Sequence, residues 1–178
     1  WDRVDFSDPR LVRDGAFDQL ISRFWSKVLP QIPDTLIVEA HSLLDRALQA
    51  NNKDMFKYMA HHMTYASESS KIMCMDKVFV DLVNSYYRTG IVDWLSEEQS
   101  KKILDRAEDL RYTLCGNRAP NITLPNLNQD DWVQLDEVEA KYTLICIWES
   151  TCGHCKKEMP KLERIYDEWK KRGLEIFA

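Results

Sequence analysis

Tyr142-Thr143-Leu144-Ile145-Cys146-Ile147-Trp148, then Glu149-Ser150-Thr151, then Cys152-Gly153-His154-Cys155: this stretch decides the fold. An apolar run of strand type gives way to a helix-like segment at the two cysteines. Lys156 to Lys171 carries Leu162, Ile165 and Trp169 on one helical face, Gly173 ends it, and Leu174-Glu175-Ile176-Phe177 opens another strand. Strand, helix and strand in that order predict a βαβ unit, hence a parallel sheet, with 142–148 as a buried strand.

The junction also predicts chemistry. A C-x-x-C between a strand and a helix reads as a redox dithiol. Its first cysteine, Cys152, stands at a helix N-terminus, where unpaired N–H groups and the macrodipole favour a thiolate. Cys155 lies one turn later, within reach of a small disulfide ring, and resolves the mixed disulfide that Cys152 forms with a partner. His154 between them favours the thiolate and makes the couple more oxidising. Glu158, one turn beyond Cys155, is the candidate proton handler. Its competing reading is a solvated glutamate in a charged stretch with Lys156, Lys157 and Lys161. Pro160 interrupts the helix and is expected to bend it and shape its active end. Half of a zinc site and an inert structural disulfide are the blander readings of the dithiol. Zinc needs more ligands, and the sequence has no second C-x-x-C.

Upstream the pattern is helical as far as about Arg111. Ser7-Asp8-Pro9 reads as a helix start, followed by Phe17, Leu20, Ile21, Phe24, Trp25 and Val28 at helical spacing. A second helix is expected over 34–50, with Leu36, Ala40, Leu43, Leu44 and Leu48 inward. A third follows Asn51-Asn52 with Phe56, Met59, Met63 and Ala66. A fourth carries Val78, Phe79, Leu82, Val83 and Tyr86 and stops at Gly90. Ser96-Glu97-Glu98-Gln99 is a capping box for a fifth, with Ile103, Ala107 and Leu110 inward. Cys115 to Pro120 reads as a linker. After it come extended pieces at Ile122-Thr123-Leu124 and Trp132-Val133-Gln134-Leu135, with a polar turn over 126–131. The fold class is therefore α+β: an all-α domain over 1–115, then a partial α/β domain over 116–178.

Composition sets the outer bounds. The chain has 178 residues, 44% hydrophobic and 30% charged, with net charge −5, which favours neither nucleic acid nor an anionic membrane as partner. No apolar run reaches the roughly 20 residues of a spanning helix. The start, Trp1-Asp2-Arg3-Val4-Asp5-Phe6, has no signal-peptide pattern, and no initiator methionine precedes it, so a targeting segment removed earlier is compatible with it. Five cysteines exclude full pairing within the chain. Cys74 and Cys115 read as small buried apolar residues, and Cys146 as buried and inert. Met55, Met59, Met63, Met73 and Met75 read as core filling, with an adaptable binding surface as the alternative. His61 and His62 point to different helix faces, which argues against a shared metal, and His41 reads as a surface or boundary residue. No metal site and no small-molecule cofactor is expected.

From about Gly116 to Ala178 the sequence resembles the thioredoxin-like superfamily, and within it the TlpA/ResA-like and AhpC/TSA-like bacterial envelope proteins. The resemblance rests on Trp148 four residues before Cys152, the C-x-x-C itself, Glu158 and Pro160, with Ala119-Pro120-Asn121-Ile122-Thr123-Leu124-Pro125 similar to an added N-terminal strand. The Cys-Gly-His-Cys version is similar to that of protein disulfide isomerases. The helical part resembles a domain of unknown function found ahead of such domains. Where thioredoxins carry a buried aspartate, two residues before the tryptophan, this chain has Cys146, which makes Glu158 the likelier proton handler by comparison. Ile145 and Glu149 stand where peroxiredoxins carry proline and threonine, which argues against a peroxidase. The stretch 121–178 is shorter than a whole thioredoxin fold, so a fragment of a longer protein is expected.

The resemblance implies a thiol–disulfide oxidoreductase of the periplasm or cell envelope, acting on protein thiols and disulfides with a redox partner protein. A different class is open too: a helical binding or assembly module carrying a regulatory or inactive thioredoxin-like domain.

Overall fold

The computed structural model describes residues 1–126 and 128–178 and divides into two compact units, Trp1–Ala119 and Pro120–Ala178. In the first unit the chain enters through a 3₁₀ turn, Leu11–Arg13, and then α1, Gly15–Arg23. The cap of α1 is Asp14, whose side chain accepts from the Ala16 amide, and not the expected Ser7-Asp8-Pro9. Those residues close local turns instead: Asp5 accepts from Ser7, and Asp8 from Arg10. The turn that follows them is the short 3₁₀ piece Leu11–Arg13, whose cap position, Arg10, makes no side-chain cap bond, so the first α-helix starts only at the next acceptor, Asp14. Helix α1 runs into a π-helical turn, Phe24–Val28, so the apolar stripe drifts. Phe17, Ile21 and Trp25 are buried, while Leu20 and Val28 face solvent.

Helices α2, Pro33–Gln49, and α3, Lys53–Glu68, form the centre of this unit. Pro33 supplies the preset φ of a first helical position. Asn52 caps α3, accepting from the Met55 amide at 3.1 Å and donating to the Phe6 carbonyl at 2.9 Å. Leu36, Ala40, Leu43, Leu44, Met55, Met59 and Met63 are fully buried, so the methionines of α3 fill core. Leu48 and Met73 are exceptions, 38% and 83% exposed. Helix α4, Asp76–Leu82, passes into a second π-helical turn, Val83–Tyr87. That turn places the Tyr86 hydroxyl 2.8 Å from His41 Nδ1, while His41 Nε2 donates to Asp81 at 2.6 Å. This chain of polar groups braces α2 against α4. Burial, with Asp45 and Asp81 nearby, holds the Tyr86 phenol well above its ordinary pKa.

Helix α5, Glu97–Arg111, begins at the capping box read from the sequence, with both reciprocal bonds between Ser96 and Gln99 formed. It is strongly polar and fully buries only Ala107, against Phe79, Val80 and Val83. Cys74 and Cys115 are not small buried apolar residues. They form a disulfide, with Cα atoms 5.5 Å apart, between the α3–α4 loop and the segment after α5. Cys115 is exposed and Cys74 half-buried. A thiol counted as apolar filling carries no signal of a partner 41 positions away.

The second unit holds two small sheets. Strands β1, Thr123–Pro125, and β2, Trp132–Gln134, pair antiparallel, with Thr123 opposite Gln134. The polar turn expected over 126–131 includes Leu127, which lies outside the described residues; Asn126 accepts from the Asp130 amide. Strands β3, Tyr142–Ile145, and β4, Leu174–Phe177, pair parallel in the register Tyr142–Leu174 to Ile145–Phe177. Between them runs α6, Gly153–Trp169, then a 3₁₀ turn, Lys170–Arg172. The βαβ reading holds, but its first strand is shorter and more open than expected. It ends at Ile145, and Tyr142, Leu144, Ile147 and Trp148 are 53%, 40%, 93% and 48% exposed. A two-stranded sheet covered by one helix leaves a face and two edges uncovered within this unit.

Candidate active site

Gly173 sets the frame that carries the site. Its φ of +91° turns the chain from the end of the helix into β4. A Cβ there would stand 2.9 Å from Lys141 Cβ, so a side chain is excluded by space as well as by conformation. The Gly173 carbonyl accepts from the Tyr142 amide at 3.0 Å, and the Cys146 amide donates to Phe177 at 2.8 Å. These bonds fix both ends of β3, whose C-terminal end leads to the dithiol.

Cys152 is the N-cap of α6, in the extended conformation of a capping residue (φ −69°, ψ 117°). Its amide donates back to the Glu149 carbonyl at 3.1 Å, which closes the turn into the helix. Its sulfur sits where a capping oxygen normally sits, accepting from the Cys155 amide at 3.3 Å. Helix N-termini leave several N–H groups without intrahelical partners, and an anion there is favoured. The first turn of α6 contains no acidic residue that would oppose a thiolate. The Cys155 thiol and then the Cys155 amide lower the pKa of Cys152; desolvation opposes them, and the His154 amide adds the least of the lowering effects. Both Cys152 and Cys155 are free thiols, partly exposed.

The structure therefore brings Cys152, His154 and Cys155 into one helical turn. His154 reaches Cys152 through its main chain, and its side chain is exposed. Glu158 lies a turn later on the solvent side and accepts from Lys161 Nζ at 2.7 Å. Pro160 is accommodated inside a continuous α6. Cys146 is partly exposed, not buried, and its sulfur lies 3.8 Å from Met159 Sδ, four residues after Cys155. This contact joins residues 13 apart and was not legible in the sequence; the i, i+4 spacing of Cys155 and Met159 signals only that those two share a helix face. Among the described residues no group of three His, Cys, Asp or Glu side chains is placed to hold a metal, and no helix is long and apolar enough to cross a membrane.

Comparison with known proteins divides the chain at almost the same place. Residues 1–113 match the family model described as a domain of unknown function, DUF5106, and residues 115–178 match the AhpC/TSA family. A thiol-disulfide oxidoreductase ResA of Halalkalibacterium halodurans is 36% identical over 70 residues, 39% of this chain and 39% of that protein. The ResA of Oceanobacillus iheyensis is 32% identical over 74 residues, 40% of this chain and 38% of that one. The chain thus spans about two fifths of the length of these curated relatives. The crystal structure of a thioredoxin-like protein from Bacteroides caccae matches 99% of this chain and 63% of its own, with a TM-score of 0.67 at 19% identity, which is a likeness of fold. The chain belongs to the DUF5106 family, and behind that helical domain it carries a unit of the thioredoxin-like superfamily.

Proposed function

We propose that the protein is a thiol–disulfide oxidoreductase that exchanges disulfides with protein substrates through Cys152 and Cys155. The observation that carries the reading is the Cys152 sulfur at the N-cap of α6, accepting the Cys155 amide. The relatives named thiol-disulfide oxidoreductase, matched over part of their length, support it. The Cys152 thiolate attacks one sulfur of a substrate disulfide. A bond forms between them, the substrate's own S–S bond breaks, and the other substrate sulfur leaves as thiolate and is protonated. Cys155 then loses its proton and attacks Cys152, the mixed disulfide breaks, and the substrate departs with two thiols. Two electrons pass from the dithiol to the substrate, and the reverse sequence oxidises a substrate dithiol.

His154 contributes its amide, and its imidazole when protonated, to the thiolate form. Stabilising that form stabilises the reduced couple and makes it more oxidising. Glu158 takes the proton from Cys155 when its pair with Lys161 opens. The setting is the cell envelope, outside the cytosol. The Cys74–Cys115 disulfide supports this, because such bonds persist where thiols are not kept reduced.

The test is turnover of a disulfide substrate by the wild type, C152S and C155S. C152S abolishes turnover, and C155S accumulates a mixed disulfide on Cys152. Undiminished turnover by C152S would remove the proposal.

A further inference from the structure

The helical unit carries a disulfide of its own, Cys74–Cys115. We propose that Cys74 and Cys115 form a second, exchangeable redox couple, whose opening by a thiol reductant frees the end of α5 and the linker that follows. The proposal is independent of the activity assigned to Cys152.

Three observations converge on it. The first is access. Cys115 is exposed, Cys74 is half-buried, and the residues before Cys74, Ile72 and Met73, are 47% and 83% exposed. Cys115 thus lies at the surface of the folded unit, and exposed disulfides are the labile ones. The second is backbone conformation. Cys74 has φ +71°, a left-handed geometry that costs any residue with a Cβ. The cross-link anchors the loop around that residue, and opening it lets the loop relax. The third is what the bond holds. Helix α5 fully buries only Ala107 and half-buries Ile103, Leu104 and Leu110; its N-terminal end is anchored by Val92, Trp94 and Leu95 on the main core, and its C-terminal end by the disulfide. The disulfide is the covalent tie between the C-terminal side of α5 and the α3–α4 loop. After it come Gly116, at φ +89°, and exposed residues as far as 120.

The exchange balances as follows. A thiolate of a dithiol reductant attacks Cys115 Sγ. The bond to Cys74 breaks, and Cys74 leaves as thiolate and takes a proton from water. The second thiol of the reductant, having lost its proton, attacks its partner sulfur in the mixed disulfide. Cys115 leaves as thiolate and is protonated in turn. The reductant becomes a disulfide, and Cys74 and Cys115 become two thiols. The core formed by α2 and α3 involves neither cysteine, so the state produced is a folded unit with a loosened last helix.

The test uses the whole chain carrying C152S and C155S, so that the other dithiol contributes nothing. Dithiothreitol is the probe, with acid quenching, alkylation and mass spectrometry reading Cys74 and Cys115. The expected result is a rate that rises about tenfold for a tenfold rise in reductant, as direct attack on the native bond requires. That rate stays flat in urea below the unfolding transition. After opening, amide exchange rises over Glu97–Arg111 and holds over Pro33–Gln49. A rate that climbs steeply with sub-denaturing urea would make the bond a staple opened only by unfolding, and would overturn the proposal. Unchanged exchange in α5 after opening would overturn it equally.

Discussion

Replacing Gly173 with alanine tests how the chain holds the strand that leads to the dithiol. The glycine has φ +91°, and a left-handed conformation costs a residue with a Cβ about 1–2 kcal/mol. A second cost comes from space. The new Cβ would stand 2.9 Å from Lys141 Cβ, which is held next to the strand and is not the free end of a side chain. Forcing an extra methyl into such a contact costs about 1–3 kcal/mol. The sum is about 2–5 kcal/mol. Gly90 is the internal control: its φ is +78°, but nothing lies within 4 Å of its would-be Cβ. Gly90→Ala should therefore cost only the conformational part, about 1–2 kcal/mol. The assay is hydrogen exchange under native conditions, read at the amides of β3 and β4 for Gly173→Ala and at those of α4 for Gly90→Ala. The expected result is a larger loss of protection for Gly173→Ala, concentrated in β3 and β4. Equal losses for the two variants would refute the close approach of Lys141 as the reason this position is glycine.

Cys152 should alkylate with a midpoint below the ordinary thiol range, and C155S should move that midpoint up, because the Cys155 thiol is the largest cause of the lowering. The folded pKa of Cys152 lies below the unfolded one. The thiolate therefore adds stability that is present above the unfolded value and is lost as pH falls through the folded value. Pulsed alkylation and urea midpoints across pH check both statements. His154→Ala should make the couple more reducing while leaving Cys152 acidic, since the amide is kept; a redox titration of the variant reads the change. Tyr86→Phe removes the partner of His41 Nδ1 and should cost about 1 kcal/mol by urea denaturation, because His41 is open enough for water to replace the bond. Ser96→Ala breaks the capping box of α5 and should cost about 1 kcal/mol, read as faster exchange at the start of that helix.

The elements legible in the sequence are those whose signal is local. Ser96 and Gln99 form both bonds of the capping box, Asn52 caps α3, and Gly173 separates α6 from β4. The C-x-x-C between a strand and a helix predicts Cys152 at a helix N-terminus, and Cys152 is the N-cap of α6. What was not legible is set by groups distant in sequence or by geometry that departs from 3.6 residues per turn. The π-helical turns at 24–28 and 83–87 move Val28 outward and bring Tyr86 to His41, and no spacing rule anticipates them. The Cys74–Cys115 bond joins residues 41 apart that look alike as buried apolar cysteines or as partners. The openness of β3 has the same origin: its apolar run reads as buried on both faces, and burial depends on what packs against it, which the run does not encode.

The most direct test of the central claim is a redox titration of Cys152 and Cys155 in glutathione buffers, trapped by alkylation and resolved by mass spectrometry from Cys74, Cys115 and Cys146. The account predicts a reversible Cys152–Cys155 disulfide with a potential more oxidising than thioredoxin's, about −270 mV, because the His154 imidazole, when protonated, adds to the helix N-terminus in stabilising the reduced form. Failure of these two cysteines to form a reversible disulfide at any glutathione ratio would contradict it.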